Sequence, residues 1–128
     1  MSFNNLISRL NAIKNRYDNY SLALKKAGII DDIPPFVFSI GQTEYNEIAF
    51  QQLWRAFYLA KNRINWLITT TNGNGFTNKL GEFIDVVDFK EINQVNGDNV
   101  QANYLNQVAK MENILDQLQA VLTDSKIL

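Results

Sequence analysis

Between Thr43 and Thr71 the apolar residues Phe50, Leu53, Phe57, Ala60, Ile64 and Leu67 recur at three- and four-residue intervals, the spacing of one α-helix face. A second set, Ile48, Trp54, Tyr58, Leu59, Trp66 and Ile68, lies off that stripe. A helix that is apolar on more than one side needs cover from several directions. This stretch is therefore expected to be a central helix around which the rest of the chain packs. At about 1.5 Å per residue it spans on the order of 40 Å, comparable with a whole small domain. Thr43 is its expected N-cap, and Glu44 and Glu47 sit in the first turn, where the helix dipole favours negative charge. The run Thr69-Thr70-Thr71-Asn72-Gly73-Asn74-Gly75 ends it with a repeated turn signal.

Two further helices flank it. Over 2–27, Leu6, Leu10, Ile13, Tyr17, Tyr20, Leu24 and Ala27 keep the four-three spacing of a coiled-coil-like seam. Ser2 is its expected N-cap, and Gly28 suits the left-handed position after the last turn. Two tyrosines in that seam are bulky and carry hydroxyls that need partners. They point to a broad, partly polar groove, and an intramolecular helix pair is favoured over an oligomer contact. Over 99–123, Tyr104, Val108, Met111, Leu115, Leu118 and Leu122 repeat the pattern, widened by Leu105, Ile114 and Val121, with Asp98 or Asn99 as cap. The apolar ending Lys126-Ile127-Leu128 is expected to tuck against the core.

The connections are less ordinary. Residues 29–42 are long and apolar, whereas most loops are short and polar. Pro34-Pro35 forbids helix there and holds Ile33 extended, and Phe36-Val37-Phe38-Ser39-Ile40 alternates weakly, as extended chain does. The segment is either a strap over the chain's own core or an arm whose Phe36 and Phe38 dock on another subunit. Residues 76–95 are expected to form a short helix or irregular insert, with a strand over Ile84–Phe89 as the alternative. Glu82, Asp85, Asp88 and Glu91 are spaced by three, but no calcium-loop pattern accompanies them, and a solvated acidic face is the stronger reading.

The expected architecture is all-α: one domain, 1–128, with three long helices in a bundle-like arrangement, an extended Pro-Pro connection and a short helical or irregular insert. At 128 residues the chain is large enough to bury a real core. No histidine or cysteine occurs, which excludes disulfides, thiolate metal sites, Cys-His or Ser-His nucleophiles and the usual pH switch. No phosphate-binding loop occurs, because Asn72-Gly73-Asn74-Gly75 lacks the Lys-Ser/Thr that would follow. The chain is read as non-enzymatic, without cofactor or metal, an enzyme working through carboxylates ranking well behind. Met1 to Leu10 has no signal-peptide character, and Arg55, Lys61 and Arg63 interrupt the most apolar region, so a cytoplasmic or virion-associated location is expected.

A net charge of −1 hides a segregation. Residues 1–30 and 49–66 are basic, whereas 31–48 and the remainder are acidic, so segments of opposite sign are expected to lie together within one subunit or between copies. Trp54, Tyr58 and Trp66, off the main stripe and near Arg55 and Arg63, have the composition of interface anchors. With Phe36 and Phe38 they form the expected contact surface. The leading expectation is a structural subunit that self-associates in a larger complex, such as a phage head, neck or tail component. A monomeric adaptor or inhibitor comes second. Nucleic-acid binding through Arg9, Arg16, Lys25 and Lys26 ranks lower, given a pI near 5.3 and no aromatic cluster on that face.

Overall fold

A computed structural model of the protein describes residues 3–41, 47–85, 89 and 100–128. Three helices account for most of them: α1, Asn4–Lys26; α2, Glu47–Gly73; and α3, Val100–Asp124. The fold is all-α and bundle-like, each helix packing on the other two. The seam residues of α1 from Leu6 to Leu24 are buried, as are the main stripe of α2 and the α3 positions from Tyr104 to Leu122. They form one hydrophobic cluster.

All three helices run in the same direction. Phe3 meets Phe50 edge-on at 5.2 Å, and fourteen residues later Tyr17 meets Trp66 at 6.0 Å, so α1 and α2 are parallel. Arg9 pairs with Glu112 and Arg16 with Asp116, which sets α3 parallel to α1. A parallel neighbour cannot be reached through a short turn, because the chain must first travel back along the helix it has just completed. This explains the long connections of 27–46 and 74–99. An extended chain covers up to about 3.3 Å per residue, so the first connection has ample reach to retrace a helix of on the order of 40 Å.

The Pro-Pro connection is a strap on the chain's own core. Tyr17 donates its hydroxyl to the Pro34 carbonyl at 2.5 Å, and Arg63 Nε donates to the Pro35 carbonyl at 2.7 Å. Further along, the Gly41 N–H donates to Gln52 Oε1 at 2.9 Å. The alternation of the extended segment decides its faces. Phe36 is buried and Phe38 and Ile40 pack against the core, while Val37 and Ser39 face outward. The expectation of Phe36 as a docking anchor for another subunit is thereby corrected: its ring lies at 5.5 Å from Tyr17, inside the fold.

The three C-termini share one device. At the end of α1 the Ile29 N–H bonds to the Leu24 carbonyl and the Gly28 N–H to Lys25, with Gly28 at φ 77°. The same pair of bonds closes α2 at Phe76 and Gly75, and α3 at Ile127 and Lys126. In this motif the residue after the left-handed position folds back onto the helix. Ile29, Phe76 and Ile127 do so, and each packs against the core. Leu128 is half-exposed, so only part of the apolar tail is tucked in.

In the described part of the insert, 76–85, there is no helix. Asn78 Oδ1 accepts from the backbone N–H groups of Leu80 and Glu82, and Gly81 adopts φ 78°, which closes a tight loop instead. The carboxamide of Asn72 then holds the backbone of Ile84 at both its groups, donating to the carbonyl at 2.8 Å and accepting from the N–H at 3.3 Å. This returns the chain to α2 and buries Ile84. The expected caps Ser2, Thr43, Asp98 and Asn99, the first residues of the expected central helix, and the later acids Asp88 and Glu91 lie outside the described residues. At the start of α1 the capping position falls to Phe3, which makes no side-chain cap bond.

Candidate interaction surface

With α1 and α3 on the main stripe and the strap and insert alongside, the surplus apolar surface of α2 shrinks to its first half. Ile48 is 56% exposed and Tyr58 48% exposed, with Trp54 half-buried beside it. Trp54 and Tyr58 lie one turn apart and stack at 5.4 Å with an interplanar angle of 16°. Lys61 Nζ stands 5.8 Å from the Tyr58 ring centre, so the phenol carries a cation on its face. Trp66, expected with them, is half-buried against Tyr17 and belongs mainly to the packing under the strap.

Val37, Phe38, Ser39, Gln52, Arg55 and Leu59 line a shallow cavity of about 290 Å³ between the strap and α2. Val37, 74% exposed, forms its outer lip. Arg55 is exposed and makes no ion pair or hydrogen bond among the described residues. Arg63, two turns on, is held by the strap carbonyl described above. The expected residues therefore separate into two groups. Trp54, Arg55 and Tyr58 share one outward region, Phe38 packs against the core beside the cavity, and Phe36, Trp66 and Arg63 secure the strap.

From Ile48 through Gly81 the chain carries Arg55, Lys61, Arg63 and Lys79 and no acid, so this region is uniformly cationic. The cations of α1 are in a different situation. Arg9 Nε donates to Glu112 Oε2 at 3.1 Å, and its hydrogen bond and charge interaction with Glu112 raise its pKa. For Arg16, burial lowers the pKa, but the bonds to Tyr20 and Asp116 more than offset this. Arg9 and Arg16 of the basic first helix thus pair with Glu112 and Asp116 of the acidic last one within one subunit. Two of the four cations that nucleic-acid binding would need are occupied in this way.

Leu80 and Phe83, which by spacing could lie along a helix face with Ile84, Val87 and Glu91, are at the surface instead. Leu80 is 82% exposed and Phe83 55% exposed, both on the loop closed by Asn78. Their apolar character fits a helix face, and only the turn at Gly81 shows that no helix forms to hide them. Among the described residues no group of acids could hold a metal ion, and no helix is long and apolar enough to cross a membrane. No protein-family model matches the sequence, and no curated protein or solved structure matches it.

Proposed function

We propose that the protein is a non-enzymatic assembly subunit that works by self-association within a larger complex. The observation that supports this reading is the outer side of α2, where Ile48 and Tyr58 are exposed, Trp54 stacks on Tyr58, and Arg55, which has no ion pair or hydrogen bond among the described residues, lines a cavity with Val37 of the strap. Trp, Tyr and Arg dominate binding energy at protein interfaces, and stacked aromatics offer large contact area at small entropic cost. Ile48, Trp54, Tyr58 and Val37 are all outside the buried core cluster and outside the partly buried residues packed against it. The absence of histidine and cysteine, which narrows any catalytic repertoire, supports a binding role over a chemical one.

Native mass spectrometry and light scattering over a wide concentration range test the reading. The expected result is a mass that is a multiple of 14.7 kDa and rises with concentration. A single-copy mass at the highest attainable concentration would refute it, and stoichiometric capture of a different protein by that monomer would favour an adaptor instead.

A further inference from the structure

We infer that self-association is head-to-tail: the loop bearing Leu80 and Phe83 on one copy enters the cavity of Val37, Phe38, Leu59 and Arg55 on a second copy. This rests on the proposed function and names the contact behind it. Leu80 and Phe83 are two of the most exposed large apolar side chains among the described residues, and both sit on a loop that is held in shape. Asn78 gathers the backbone donors of Leu80 and Glu82, Gly81 provides the turn, and Asn72 anchors Ile84 immediately behind. An apolar tip fixed this way loses little conformational freedom on docking. The receiving cavity combines apolar walls from Val37, Phe38 and Leu59 with polar Ser39, Gln52 and Arg55.

The charges agree in sign. Glu82 and Asp85 flank the tip and are exposed, with Lys79 as the only opposing charge in 79–85. The cavity carries Arg55 and no acid in its lining, on a helix whose other cations are Lys61 and Arg63. Opposite potentials of this kind orient two surfaces before contact and reject like-charged pairings. Contact within a single copy is ruled out by distance. Arg55 and the Asn72 anchor are seventeen residues apart on α2, about 25 Å along the helix axis. Because tip and cavity are different surfaces, each docking leaves a free tip and a free cavity. Such an interface closes into a ring or grows as a filament.

The test uses two variants at highly exposed positions, Val37→Asp in the cavity and Leu80→Asp at the tip, each checked for unchanged helicity by circular dichroism. Val37→Asp sets an acid against the acidic tip, whereas Leu80→Asp removes the apolar contact and forces a carboxylate to be desolvated against Val37, Phe38 and Leu59. Each is therefore expected to weaken self-association by at least about tenfold. Mixed in equal amounts, the pair is expected to form a dimer that does not extend, because only the intact tip of Val37→Asp and the intact cavity of Leu80→Asp can meet. If the wild type self-associates and both variants match it, or if the mixture stays monomeric, the head-to-tail contact is wrong while self-association stands. If the wild type is monomeric throughout, both this inference and the proposed function fail.

Discussion

Tyr17 and Tyr104 are both fully buried, yet removing their hydroxyls is expected to move stability in opposite directions. In Tyr17→Phe the ring contacts with Phe36 and Trp66 survive, and the loss is the hydrogen bond that ties the strap to α1 at Pro34. One such bond contributes about 1 kcal/mol, and the half-buried carbonyl left behind adds a part of its own desolvation, so the cost is about 1–2 kcal/mol. Tyr104 packs edge-on against Phe57 at 5.5 Å, but its hydroxyl has no hydrogen-bond partner among the described residues. A buried unpaired hydroxyl is a standing cost of about 1–3 kcal/mol. Tyr104→Phe keeps the ring and deletes that group at the expense of a void smaller than a methyl, for a gain of about 1 kcal/mol. In a chain of this length either change shifts Tm by about 4 °C per kcal/mol. Urea and thermal unfolding read both. The same two proteins carry a pH signature. Burial raises the phenol pKa of Tyr104 and, as its largest cause, that of Tyr17 as well. A raised folded-state value means that the contribution is fully present below the ordinary tyrosine pKa of about 10 and is lost as pH climbs towards the folded value. Wild-type stability should therefore fall above pH about 10, and less steeply in Tyr104→Phe. Equal signs for the two variants would refute the assignment of one hydroxyl as bonded and the other as orphaned.

Further outcomes follow from the helix ends and the insert. Lys126 holds the left-handed position after α3 at φ 62°, where a side chain costs about 1 kcal/mol, so Lys126→Gly is expected to raise Tm by about 4 °C; a lower Tm would show that the lysine makes a compensating contact. Asn72→Ala removes both bonds to the Ile84 backbone and is expected to cost about 2 kcal/mol; amide hydrogen exchange at Ile84 should accelerate selectively, and unchanged protection there would show that the carboxamide is not the anchor.

The local elements were legible because their causes are local. Apolar spacing placed the three helices, Gly28 marked the end of α1, and the prolines with the alternating Phe36–Ile40 run marked an extended segment. The glycine-free close of α3 was not legible, since Lys126 adopts a conformation that its residue type disfavours. The insert misled in the same way. Leu80 and Phe83 fit a helical stripe, while the decisive interactions are the hydrogen bonds of Asn78 and the positive φ of Gly81. A periodic pattern reports which residues would share a face if a helix formed, not whether a competing side chain captures the backbone first.

On its own the sequence determined the three long helices, their buried stripes and the surplus of apolar surface on the longest one, because each follows from spacing along a single element. Helix direction was beyond it. An apolar stripe packs as well against a parallel neighbour as against an antiparallel one, and only contacts between elements, Phe3 with Phe50 and Arg16 with Asp116, decide that all three run together. That direction sends the strap back along the bundle. It sinks Phe36 and half-buries Trp66, and leaves Ile48, Trp54 and Tyr58 as the part of α2 that the chain's own length does not cover.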